Sequence, residues 1–197
     1  MGPKNEFTLH GLWPDKCGGS WVEHCDRGRE RDDVKGSLMR TDIYNDMNKY
    51  WPSYKPTPRQ PNNGAFWTQE WNKHGTCVST LDPSCGYEGD RDLHAYFNKT
   101  LALRKKYNIY KVLKEAGIKP RPKFGMDPRE KDKYSVDAIL AAIKKEWHVK
   151  AAVNCKSGRQ LEVVTYEKEL GIDIFNSGLV ARQKDTVVQK LLMYAAE

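Results

Sequence analysis

What the 197-residue chain lacks first is uninterrupted apolar sequence: no stretch approaches the ~20 residues of a membrane-spanning helix, and residues 1–6 hold no apolar signal core. A soluble chain with no membrane partner and no signal peptide of its own is expected. Cysteine is sparse and odd in number, at Cys17, Cys25, Cys77, Cys85 and Cys155. No close pair faces a second close pair, so structural zinc spacings are missing. At least one thiol has no internal partner. Two readings stay open: a reducing compartment, or a secreted disulfide protein of which this is an incomplete chain. Internal repeats and low-complexity tracts are also absent, and the length suits one domain spanning residues 1–197.

What is present describes a folded protein. Hydrophobic residues make up 39% of the chain, with six Trp, ten Tyr and five Phe, enough aromatic mass to offset the entropy of ordering the backbone. Thirty-three Lys and Arg against twenty-six Asp and Glu leave a formal charge of +7, a moderate excess that favours polyanions through counterion release. Charge of this size does not by itself identify a nucleic-acid partner.

The spacing of Ile43, Met47 and Tyr50 predicts a helix over 41–50, capped by Thr41 and stopped before Pro52. Residues 55–64, KPTPRQPNNG, read as a loop. A helix is expected over 65–74, and at 100° per residue Phe66, Gln69, Glu70, Lys73 and His74 fall within an arc of roughly 140°. Trp67 and Trp71, one turn apart, border that arc and should anchor the helix in the core. Leu93 to Leu103 mark a longer helix, and residues 110–116 a shorter one closed by Gly117. After a Pro-rich charged loop at 119–133, Ser135 caps a helix to Trp147. Strands are expected at 148–155 and 161–166, with KSGR as their turn. Residues 186–195 read as a terminal helix. The fold class is α+β, an antiparallel sheet with helices packed against it.

Two histidines draw attention by their company. His10 in HGLWP neighbours Trp13 and Asp15, while His74 in KHGTC shares a helical face with Glu70 and Lys73. Each is followed by glycine, which lets a bulky substrate approach the ring. Cleavage of RNA by transphosphorylation needs a base for the 2′-hydroxyl, an acid for the departing 5′-oxygen and positive charge for the phosphorane-like transition state. Two histidines and a lysine suffice, since imidazole populates both protonation states near neutrality. A zinc site from His10, Glu70 and His74 would lack any ligand pair with metalloprotease spacing. No metal and no cofactor are expected. His24, His94 and His148 have no such companions and read as surface or helix residues.

FTLHGLWP, residues 7–14, and FWTQEWNKHGTC, residues 66–77, resemble the two active-site motifs of the T2 ribonuclease family, the second at eleven of twelve positions. The resemblance extends from about residue 7 to residue 155, and DKC, DPSC and YNIYK are most similar to fungal members. It implies a T2 ribonuclease-like fold and a metal-independent endoribonuclease acting on single-stranded RNA through a 2′,3′-cyclic phosphate to a 3′-phosphate. On matching positions it implies His74 as general base, His10 as general acid, and Glu70 and Lys73 as stabilisers of the pentavalent intermediate. Trp13, Asp15 and Trp21 would hold the base 5′ to the cut. Phe66, Pro52, Ser53 and Tyr54 would line the pocket for the next base. Stacking on aromatic faces is sequence-tolerant, so broad base specificity is expected.

Several departures from the family pattern stand out. Gln69 occupies the place of a third histidine that holds phosphate; glutamine can donate a hydrogen bond but carries no charge, so weakened activity is expected. The family has a cysteine-containing segment and a strand before the first motif, and only six residues precede Phe7 here. That segment would supply partners for Cys17 and Cys85, while no cysteine follows Cys155. Family topology leaves Cys25 with Cys77 as the bridge still possible. The tail from 167 to 197 does not resemble the usual carboxyl end. Cysteines kept without partners favour a truncated secreted enzyme over a cytosolic paralogue, and Asn98-Lys99-Thr100 is a glycosylation acceptor pattern consistent with secretion. A monomer with no protein partner is expected, and the alternative function is an RNA-binding relative of weakened or lost activity.

Overall fold

In the computed structural model, which describes residues 2–3, 5–16, 20–53, 62–87, 89–119, 134–156, 160–167 and 187–195, the first histidine motif is itself a strand, β1 (Phe7–Lys16). No element is expected there from the sequence pattern. Three further strands, β2 (Lys150–Lys156), β3 (Gln160–Glu167) and β4 (Val187–Ala195), join it in one sheet of order β1-β4-β3-β2. All three pairings are antiparallel. The segment read as a terminal helix is therefore β4. Its Val187 and Val188 are β-branched, and both edges of the strand find backbone partners, in β1 and β3. Tertiary pairing overrides a weak local helical pattern.

The helices follow their caps. Asp33 opens α1 (Val34–Leu38) by accepting from the Gly36 amide. The helix expected over 41–50 starts later, as α2 (Tyr44–Tyr50), because the Thr41 hydroxyl donates back to the Leu38 carbonyl and closes the preceding turn instead of capping. Conversely α3 (Asn63–Lys73) starts two residues earlier than expected, because Asn62 caps it through the Ala65 amide. It ends one residue short of His74, whose backbone leaves the helix at φ −121° and ψ −42°. α4 (Arg91–Lys106), α5 (Ile109–Glu115) and α6 (Val136–Trp147) match their expected positions, with Gly117 at φ 77° beyond α5 and Ser135 capping α6. Of the loops expected at 55–64 and 119–133, residues 55–61 and 120–133 lie outside the described residues, and 62–64 form the cap and first residues of α3.

Aromatic rings fill the centre. Trp51, Trp67, Trp71, Tyr96 and Phe97 are fully buried, and Trp51 meets Phe97 edge-on at 5.0 Å between centroids. Their polar tips are satisfied by backbone, as buried N–H and O–H groups require. Trp67 donates to the Trp51 carbonyl and Trp71 to the Arg29 carbonyl, each at 2.8 Å. Two of these bonds hold β1 itself: Trp51 donates to the His10 carbonyl at 2.8 Å and the Tyr96 hydroxyl to the Leu12 carbonyl at 2.7 Å.

Candidate active site

His10 occupies a register fault. Leu9 pairs with Met193 and Gly11 with Leu192, so the strand carries one residue more than its partner between them. A bulge of this kind shifts the alternation of side chains and re-aims one of them. Leu9 and Leu12 are both buried in the core, while His10 and Trp13 both turn to α3. Their rings meet edge-on at 5.1 Å, and His10 also lies 5.8 Å from Phe66.

From α3 the second motif answers. Glu70 is buried, takes a 2.9 Å hydrogen bond from the Trp13 indole on one carboxylate oxygen, and faces His10 Nε2 at 3.6 Å with the other. Burial pushes its carboxyl up to about 8, against the smaller opposing pull of the Trp13 hydrogen bond and the Lys73 charge. Burial thus favours the protonated carboxyl near neutrality. His74 stacks flat on Trp13, 4.3 Å between centroids and 13° between planes. Burial, then the positive charges of Lys73, His10 and His24, lower its pKa to about 3. A histidine so placed is unprotonated near neutrality, the state a general base starts from. Its Nδ1 is buried without a hydrogen-bond partner among the described residues.

The glycines after the histidines are required by the protein's own packing. A Cβ on Gly11 would fall onto the Glu70 carboxylate and lie 2.6 Å from Trp13 Nε1, and one on Gly75 would fall onto the Trp71 ring. Bare backbone here is what lets β1 and the turn after α3 approach the two side chains.

Of the residues singled out in the sequence, His10, Trp13, Phe66, Glu70 and His74 converge. Lys73 sits at their edge, one-third exposed, in an ion pair with Glu23 at 3.0 Å. Gln69 points away: it is exposed and lines a groove with Asp32, Asp33, Lys35 and Asn62. Trp13 and Phe66, expected as open platforms for bases, are engaged within the cluster, Trp13 on His74 and Phe66 buried against His10. Trp21 is 74% exposed and offers a free aromatic face. Pro52 and Ser53 are half-buried, with the Ser53 amide donating to Asn63 Oδ1. Tyr54, Cys17 and the side chains of Asp15 and Cys155 lie outside the described residues. Cys25 and Cys77 are bridged, as the resemblance implied, and Cys85 is an exposed free thiol.

Sequence reasoning missed the frame around His74. Buried Arg29 pairs with Asp92 at 3.0 Å and donates to the Thr76 and Val78 carbonyls, pinning the 3-10 turns that follow His74. It missed Glu23 as well. The signal available was the cysteine pairing: a bridge from Cys25 to Cys77 necessarily brings residues 23–24 to the end of α3. Among the described residues, no group of three or more His, Cys, Asp or Glu is arranged to hold a metal ion, and no helix is long and apolar enough to cross a membrane.

The family model described as "Ribonuclease T2 family" matches residues 1–182. Ribonuclease Rh of Rhizopus niveus is 39% identical over 180 residues, 88% of this chain and 69% of that protein. Ribonuclease T2 of Aspergillus oryzae is 38% identical over 168 residues, 82% of this chain but 56% of that protein. Ribonuclease M of Aspergillus phoenicis is 40% identical over 124 residues, and there too the match spans about half, 51%, of the relative. Among solved structures, that of Actibind, a T2 ribonuclease, superposes with a TM-score of 0.70 at 28% identity, covering 98% of this chain and 68% of that one.

Proposed function

The chain belongs to the ribonuclease T2 family and is an endoribonuclease by that membership; from that premise we propose that it cuts single-stranded RNA by transphosphorylation at the cluster of His10, Glu70, Lys73 and His74. His74 takes the 2′-hydroxyl proton as the oxygen attacks phosphorus. His10 gives a proton to the departing 5′-oxygen, leaving a 2′,3′-cyclic phosphate that water opens to a 3′-phosphate. Lys73 supplies charge to the phosphorane. Glu70, protonated, donates a hydrogen bond to a non-bridging oxygen; an ionised carboxylate there would repel it.

The observation that carries this reading is the environment of His74, a buried histidine kept neutral next to a lysine and one ring away from His10. Burial drives two neighbours of this cluster in opposite directions, Glu70 up to about 8 and His74 down to about 3, and perturbations of that kind cluster at catalytic sites. The four strands paired antiparallel, with helices against them, support the α+β reading and a single domain over 1–197. The Cys25–Cys77 bridge supports an oxidising, extracellular location. RNA is then the partner, held mainly by backbone charge and by stacking on Trp21, and the protein acts as a monomer. One observation favours a second reading, an RNA-binding relative without turnover: the Trp13 ring covers the face of His74.

Incubation with RNA in excess chelator, followed by analysis of the new ends, separates the two. Metal-independent cleavage with 2′,3′-cyclic phosphate termini is expected. Binding of oligonucleotide without cleavage would favour the second reading, and cleavage that only zinc or magnesium restores would contradict the chemistry.

A further inference from the structure

Segment 23–25 is strapped across the end of α3. The His24 amide donates to the Lys73 carbonyl at 3.0 Å, Cys25 is bridged to Cys77, and His24 Nδ1 lies 2.9 Å from Glu30 Oε1. His24 takes a left-handed conformation, φ 50°, which a non-glycine residue adopts only when its surroundings fix it. The product of this clamping is one contact: the Glu23 carboxylate meets Lys73 Nζ at 3.0 Å, with both side chains more than half shielded from solvent.

We propose that Glu23 is a positioning residue for RNA cleavage, holding the Lys73 ammonium extended where the phosphate must pass. Lysine has a long, rotamer-rich stem, and ordering it during the reaction is costly. Lys73 is also the last residue of α3, where unpaired carbonyls and the negative end of the helix attract a cation back onto the helix. Glu23 opposes that retreat. One carboxylate oxygen occupies one of the three ammonium donors, leaving two for a phosphate. Because the carboxylate is itself anionic, it adds nothing to ground-state attraction of RNA. Its contribution therefore belongs to turnover and not to substrate affinity.

The inference rests on the proposed role of Lys73, and the test keeps the two apart. Glu23→Gln, Glu23→Asp, Lys73→Gln and the Glu23→Gln/Lys73→Gln double variant are compared with the parent for kcat and KM on a single-stranded oligonucleotide, after circular dichroism confirms the fold. Glu23→Gln is expected to lower kcat about three- to tenfold with KM unchanged or reduced, less than the roughly hundredfold cost of a 1 Å misplacement because Lys73 itself remains. Glu23→Asp should recover part of it. The double variant should be no slower than Lys73→Gln alone, since Glu23 acts only through Lys73. An unchanged or raised kcat in Glu23→Gln, or additive losses in the double variant, would overturn the inference while leaving Lys73 in place. Parental turnover in Lys73→Gln would remove the assignment of Lys73, and the inference with it.

Discussion

Burial holds the His74 pKa down, and the Trp13 ring lies flat on one of its faces. The sign of the pH effect follows. A general base works unprotonated, so activity is present above its folded pKa and falls as pH drops through it. With that pKa lowered to about 3, the acid limb of kcat/KM should lie well below the ordinary histidine value. Trp13→Ala re-exposes the ring to water and should move the limb upward, toward the free-histidine value of about 6.5. Trp13→Phe keeps a stacking ring but loses the N–H donated to Glu70, and should leave the limb low. A limb that stays put in both variants would mean that burial under Trp13 does not control His74. Trp13 lies flat on His74, so its fluorescence is expected to change on oligonucleotide binding.

The pairing of β1 with α3 depends on two details of the chain, a one-residue bulge at His10 and the missing side chain of Gly11. Gly11→Ala pushes a methyl into the Glu70 carboxylate and the Trp13 indole. Overpacking of this kind costs about 1–3 kcal/mol, so a lowered midpoint of denaturation and a large loss of turnover are expected; an alanine variant as stable and active as the parent would show the approach is looser than described. Much of α3 was legible in advance, because the Trp67/Trp71 pair and the polar face of Glu70 and His74 are periodic and local. The bulge was not. Nothing in FTLHGLWP signals which residue will be left unpaired, since that is decided by β4, more than 170 residues downstream. The same long-range pairing explains why 186–195 was misread as a helix. Gln69 was placed on the correct helix but on the wrong side of the site, because an arc of helical angles does not say where the facing strand ends.

Over the whole molecule, β1, residues 24–29, α3 and the turn after it are tied together by unlike means: the Trp13–Glu70 hydrogen bond, the His24–Lys73 backbone bond, the Cys25–Cys77 bridge and the Arg29 bonds to the Thr76 and Val78 carbonyls. The excess of basic residues, +7, would attract RNA from a distance, and in the proposed mechanism the two histidines turn an encounter into cleavage. Binding and turnover should therefore come apart under mutation. Initial cleavage rates and oligonucleotide affinity, taken on the same preparations of His10→Ala, His74→Ala and the double variant, test this directly. Each single change should cost roughly 10²- to 10⁴-fold in rate, the double change far less than the product of the two, and affinity should persist in all three. Single variants that cleave RNA as fast as the parent would contradict the assignment of the two histidines.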